Sequence, residues 1–294
     1  MRSPRPLAVI LLMCSVLPTT VASAVTLHQP GYTVTPLLDL PYSFYSPSDI
    51  ALDGVGNLYI PSQTLGVLRV SPTGTPVLWS SAPAVDLSLA QSGSGYAAGR
   101  GLCHCILAIS ADGSSTTLHS DGLDWTYVTL ASDGTLYANI WAGAGEGIYQ
   151  IDRLTGQPSQ LVSGGGFYRD MAIGSDGKLY VLAASALLRL EGTHLVSVAP
   201  LPHGGINLTL GPDGLFYTTA TSDTYGEVWI VDPATTSSSL LASGLAGPAG
   251  VAYDPLYRRL YVSEQYGQRT VFSFRRDETI AIPTSWGALK QIYR

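Results

Sequence analysis

Hydrophobic and polar positions alternate in short runs along this chain, and the runs recur. The stretch "SDGKLYVL" at 175–182 reads as a turn on Asp176-Gly177 followed by a strand through Leu179 to Leu182. Close variants stand at 54–61 ("GVGNLYIP"), 132–139 ("SDGTLYAN") and 211–218 ("GPDGLFYT"). The tyrosine after each turn sets the register: Tyr59, Tyr96, Tyr137, Tyr180, Tyr217 and Tyr261, spaced by 37, 41, 43, 37 and 44 residues. Upstream of each, two bulky residues flank a small one. The triplets are Ile50-Ala51-Leu52, Leu87-Ser88-Leu89, Val128-Thr129-Leu130, Met171-Ala172-Ile173 and Leu208-Thr209-Leu210. The sixth unit has an extra residue in its turn ("DPLYRRLY"), so its triplet comes one place earlier, as Val251-Ala252-Tyr253. Period-two alternation with a bulky and a small face predicts a strand whose small side meets a close neighbour.

A third strand follows each tyrosine ("VLRVS", "ILAIS", "IYQID", "LLRLE", "VWIVD", "TVFSF"). A fourth follows in five units ("PVLWS", "STTLHS", "SQLVS", "LVSVA", "SLLAS"). In the sixth, "TIAIP" at 279–283 runs into the C-terminal tail, while "TVTPLLDLP" at 33–41 precedes the first inner strand as a fourth strand would. A period near 40 with four short strands predicts an all-β fold, a six-bladed β-propeller of four-stranded antiparallel blades. The N-terminal strand is expected in the last blade, closing the ring and removing exposed sheet edges.

Composition agrees. Of 294 residues, 32 are glycine, 19 proline and only 12% charged, against about 25% charged in an average soluble domain. The first 24 residues carry Arg2 and Arg5, an apolar run from Leu7 to Leu17 and an Ala22-Ser23-Ala24 site. This is the pattern of a cleaved signal peptide, with an apolar run too short to span a membrane. Cys14 lacks the small residues that precede a lipoprotein cysteine. The expected layout is a signal peptide at 1–24, a propeller at 25–282 and a tail at 283–294, secreted or periplasmic and monomeric. Without Arg2 and Arg5, 13 basic side chains face 21 acidic ones. So acidic a chain has no footprint for nucleic acid, and no other segment suits membrane insertion.

"PSDIALDGVGNLYI" at 47–60 and "PAGVAYDPLYRRLYVSE" at 248–264 resemble NHL-type propeller repeats, and "INLTLGPDGLFY" at 206–217 has a similar cadence. The resemblance covers nearly all of the mature chain. It implies a six-bladed propeller in the broad group that holds gluconolactonase-like, strictosidine-synthase-like and virginiamycin-lyase-like enzymes. Lactonase relatives place a metal-binding Asn at the start of an inner strand. The matching positions here hold Ser48, Val85, Thr126, Arg169, Ile206 and Ala249, none an equivalent ligand. The His and Glu motif of the lyase relatives has no match.

Candidate chemistry lies where loops lead into the inner strands, termed the upper face below. Ten residues before the tyrosines stand Asp49, Asp86, Tyr127, Asp170 and Asn207, with Gly250 the sixth member. Two readings fit. Each acid caps its own turn or accepts a neighbouring blade's backbone N–H. Alternatively, Asp49, Asp86 and Asp170 hold Ca²⁺ or Mg²⁺ on the axis, since hard oxygen ligands suit such ions. Aromatics in the same loops (Phe44, Tyr45, Trp125, Tyr127, Phe167, Tyr168), with Arg169 and His203, offer a stacking surface or a packed plug. In "CHC" at 103–105, strand alternation would turn His104 away from both sulfurs. Small buried thiols are expected there, with metal binding, redox work and a disulfide as the alternatives. The Asn207-Leu208-Thr209 sequon starts an inner strand and is discounted for glycosylation. The tail "PTSWGALKQIYR" would put Trp286, Leu289 and Ile292 on one helical face, docked under the propeller or read as an export signal. No G-x-S-x-G, P-loop or H-E-x-x-H occurs.

The resulting expectation is an exported binding or scaffold module that takes a protein, glycan or small ligand on its upper face. The alternative is a divalent-metal-dependent hydrolase or lyase of the lactonase-like group, with one ring aspartate acting through the cation or as base.

Overall fold

The computed structural model describes residues 25–40, 47–62, 65–72, 74–101, 103–141, 143–164, 167–221 and 226–277. The signal segment, Phe44, Tyr45, the 279–283 run and the tail lie outside the described residues.

Six antiparallel sheets follow one another along the chain, each running from an inner strand to an outer one. Blade one comprises Ala51–Leu52, Leu58–Ser62, Gly66–Val70 and Val77–Ser80. Blade two comprises Asp86–Leu89, Gly95–Gly99, Cys105–Ile109 and Ser115–Ser120. Blade three holds Trp125–Leu130, Leu136–Ile140, Gly147–Ile151 and Pro158–Ser163. Blade four holds Asp170–Ile173, Leu179–Leu182, Ala186–Glu191 and His194–Pro200. Blade five holds Gly205–Leu210, Phe216–Thr221, Gly226–Asp232 and Ser237–Leu245. Blade six takes Pro248–Asp254, Arg259–Glu264 and Thr270–Arg276 from the end of the chain, and its outer strand, Tyr32–Asp39, from the beginning. The expected closure of a six-bladed propeller is therefore present. One addition was not legible: Thr26–Leu27 pairs with the outer strand of blade five as a fifth strand.

The hairpin turns follow from aspartate chemistry. Asp53, Asp112, Asp133 and Asp176 each accept the backbone N–H two residues on, the local bond that favours a turn over continued strand. Asp53 adds the N–H and side-chain amide of Asn57 and the Tyr59 hydroxyl. These bonds outweigh partial burial and hold its carboxyl below the usual range.

The core is divided between the blades. Leu87 of blade two packs with Ala51 and Tyr59 of blade one, and Ile50 of blade one packs with Ala252 and Tyr261 of blade six. The small residue of each triplet thus faces the next blade and the bulky one fills the gap behind, which lets inner strands crowd the axis. Among the described residues no helix is long and apolar enough to cross a membrane.

Candidate functional site

An inner strand is the edge of its blade, so half of its N–H groups lack a sheet partner. Buried and unpaired, each would cost about 1–3 kcal/mol. The side chains ten residues before the tyrosines meet this need from the preceding blade. Asp49 Oδ2 accepts the N–H of Leu87 at 3.1 Å, and Asp86 Oδ2 that of Val128 at 2.7 Å. Asp170 Oδ2 accepts the N–H of Leu208 at 2.5 Å, and Asn207 Oδ1 that of Val251 at 2.9 Å. Two residues on, Ser88 Oγ accepts the N–H of Leu130 and Thr209 Oγ1 that of Tyr253. Side chains at these alternate positions point the same way, so the inner strands of blades two and five each bind the next blade twice.

The belt has two breaks. Tyr127 carries no carboxylate, and there Asp170 Oδ1 accepts the N–H of its own successor, Met171. Asn139, from the second strand of blade three, bridges the gap: its Oδ1 accepts the Tyr127 N–H and its Nδ2 donates to the Tyr168 carbonyl of blade four. Thr219 occupies the matching place in blade five and donates to the Ala249 carbonyl. The second break is Gly250. A Cβ there would stand 2.3 Å from the backbone carbon of Asp49, so the glycine is what lets blades six and one meet.

The belt acids also converge. Asn207 Nδ2 donates to Asp49 Oδ1 at 3.0 Å, and Asp86 shares a hydrogen bond with Asp49. All four residues are at most 5% exposed. Burial pushes the Asp86 carboxyl well above the usual range, helped by the charges of Asp49 and Asp170. Burial, then Asp49, does the same to Asp170. Burial raises Asp49 too, opposed by its four hydrogen bonds. Of Asp49 and Asp86, Asp86 is pushed further toward the neutral form, in which it donates to Asp49. Below the belt the inner strands enclose an axial cavity of about 260 Å³. Its far end is lined by the half-buried Leu52, Leu89, Ile173 and Leu210, on the face of the hairpin turns. Among the described residues no three His, Cys, Asp or Glu side chains form a group able to hold a metal ion.

The other expected residues separate by burial. Trp125 is fully buried, edge-on to Tyr149 and His119, with its Nε1 donating to Asp121. Tyr168 is buried as well. Tyr127 and Arg169 are half-buried, and His203 is exposed. His203 Nδ1 lies 2.6 Å from Glu227 Oε2, which also accepts from Trp229 Nε1 at 2.8 Å.

Cys103 and Cys105 depart from the expected free thiols, because they form a disulfide with a Cα–Cα distance of 5.1 Å. Strand alternation does not apply, since only Cys105 lies in the strand. His104 adopts φ of 46°, which turns the chain so that both sulfurs share a side. The His104 ring is held by Asp124 of the neighbouring loop, 2.6 Å away.

Two upper-face residues escaped the sequence reading. Arg100 lies over the Trp141 ring, 4.9 Å from its centroid, and Trp141 is 5.9 Å from Phe167. Both stand four residues after a repeat tyrosine, Tyr96 and Tyr137. The repeat alignment, extended past the second strand, was the signal for them. Phe167 is 56% exposed and adopts φ of 52°, with its N–H on Glu146 Oε1. Burial drives the Tyr127 phenol upward, helped by the charges of Asp170 and Asp86 and opposed by those of Arg169 and Arg100.

No protein-family profile matches the chain, and no curated protein resembles it in sequence. Solved structures do resemble it in fold. A Trichoderma reesei carbohydrate-active enzyme of family AA12 shares 12% identity over 87% of this chain and 98% of its own, with a TM-score of 0.68. A gluconolactonase from Xanthomonas campestris shares 13% over 85% and 99%, with a TM-score of 0.63. Virginiamycin B lyase from Staphylococcus aureus shares 12% over 83% and 99%, with a TM-score of 0.61. At these identities the likeness speaks for the six-bladed propeller alone.

Proposed function

We propose that the chain is an exported ligand-binding propeller whose site is the upper face above blades two to four. The observation that carries this reading is the cluster of Arg100 on Trp141 beside the exposed Phe167, with Arg169 and Tyr127 next to it. Aromatic faces with a few fixed polar groups are what small-ligand and glycan sites are made of. Phe167 also keeps a left-handed backbone on the surface, a conformation that functional loops hold at some energetic cost. The belt acids are spent on neighbouring N–H groups, which favours binding over metal-assisted hydrolysis. Export rests on the pattern of the first 24 residues.

The test is a thermal-shift screen of the chain from Val25 onward against glycans, organic acids and peptides. Binding to the folded state alone raises the melting point by linkage. Hits are expected to vanish in Trp141→Ala and Phe167→Ala. Turnover of lactones that depends on added Ca²⁺ and survives both substitutions would overturn the reading.

A further inference from the structure

Resting on that site, we infer that the ligand is a ring bearing a carboxylate, of the kind found in acidic glycans and free cyclic acids. It would stack on Phe167 and Trp141 and pair with Arg100 and Arg169. The cleft is built of donors. Arg169 Nε and Trp141 Nε1 are buried without a hydrogen-bond partner among the described residues. Among the same residues neither Arg100 nor Arg169 forms an ion pair. A buried, unpaired N–H of a charged group is costly and is satisfied best by an anionic acceptor.

Charge balance points the same way. The whole chain is acidic, at −6, so two arginines that both act on Tyr127 without an ion pair among the described residues are a local exception. The belt acids Asp86 and Asp170 direct their oxygens to backbone N–H groups of their own or the next blade rather than to these guanidiniums. Trp141 and Phe167 are tilted by 60°, which leaves no parallel slot between them. The ring therefore lies over the open face of Phe167, as a sugar or a flat acid does, with its carboxylate toward the arginines. Guanidinium forks match a carboxylate in geometry as well as charge.

Calorimetric titration decides the matter, with two matched pairs of probes. Tetragalacturonate is set against a neutral galactose tetramer, and naphthoate against naphthol. The proteins are the parent chain, Arg100→Gln, Arg169→Gln, Phe167→Ala and, as a cation control in a hairpin turn on the opposite face, Lys178→Gln. Each variant's melting point is recorded first, and Arg100, half-buried at a loop, serves if Arg169→Gln disturbs folding. At least one acid is expected to bind roughly tenfold or more tighter than its neutral partner, more weakly as salt rises. Each arginine variant is expected to lose about tenfold, and Lys178→Gln to lose nothing. Binding of tetragalacturonate alone assigns an acidic glycan, and of naphthoate alone a free cyclic acid. Equal binding of acid and neutral probes, lost only in Phe167→Ala, overturns the charge inference and leaves the site standing. Binding untouched by all the cleft variants overturns both. Binding of neither acid at millimolar concentration overturns the inference, while hits from the broader screen that depend on Trp141 would still support the site.

Discussion

At the scale of single residues, the belt shows one position solving one problem in different ways. Asn207 has both chemical halves, accepting from Val251 and donating to Asp49. Asp86 does the same work only while protonated, accepting from Val128 and donating to Asp49. A carboxyl whose pKa is raised on folding stabilises the fold below its unfolded pKa, and that contribution is lost as pH rises through the folded value. For Asp86 the loss begins above the ordinary value of 3.8. Asp86→Asn keeps both hydrogen bonds without the titration. Urea midpoints at about pH 5 and about pH 8 are therefore expected to differ less in Asp86→Asn than in the parent chain. Asp86→Leu leaves the Val128 N–H unpaired and is expected to cost about 1–3 kcal/mol at either pH. A parent chain with the same pH slope as Asp86→Asn would show that Asp86 is not the proton holder.

At the scale of elements, the inner hairpins were legible because each joins a repeat tyrosine to an alternating run, and five of the six add a turn aspartate. These are local signals, such as Asp176-Gly177 before Tyr180. The ring of Asp49, Asp86, Asp170 and Asn207 was legible for a related reason: equal offsets in a repeat become equal heights on the axis. What the acids bind was left open between two readings, and the hydrogen bonds to Leu87, Val128, Leu208 and Val251 favour the cross-blade one. The loops were not legible. Arg100 meets Trp141 only because neighbouring blades present the same loop position side by side, and no single repeat carries that fact. The disulfide was missed because a left-handed His104 breaks the alternation assumed for a strand. Its effect on stability should be small, since Cys103 and Cys105 are two residues apart. Closing so short a loop restricts the unfolded chain by about 1.5 kcal/mol. A melt of Cys103→Ser/Cys105→Ser is expected about 3–6 °C below the parent. A much larger fall would mean that the disulfide holds blade two itself in place.

At the scale of the whole molecule, everything on the axis depends on the ring being closed, and closure rests on one strand. Tyr32–Asp39 pairs with Thr270–Arg276 at seven register positions, and the Tyr32 hydroxyl reaches that of Tyr217 in blade five at 3.0 Å. Leu38 covers one side of this junction, against Leu40 and Val271, and Val34 the other, against Phe272 and Phe274. Without the strand, blade six keeps three members and an open edge, the arrangement that invites pairing between chains. The preceding strand differs in kind. Thr26–Leu27 adds two register positions to an already complete blade five, with the His28 N–H and the Gln29 amide reaching Leu241 and Leu240. Two truncations therefore separate ring closure from simple edge covering. A chain starting at Pro30 should elute from size exclusion as the parent chain does and lose at most about 1–2 kcal/mol in urea, the worth of a few partly exposed hydrogen bonds. A chain starting at Pro41 should lose its cooperative transition or elute as aggregate, because exposing Phe272 and Phe274 forfeits about 1.5–3 kcal/mol for each buried aromatic beside the lost ladder. Adding a synthetic peptide of residues 30–40 should restore the parent chain's elution, since the open edge of blade six is the one this segment fills. If the longer truncation melted like the shorter one, blade six would be stable with three strands. The cross-blade bonds of the inner belt, rather than the outer strand, would then be what keeps the ring shut.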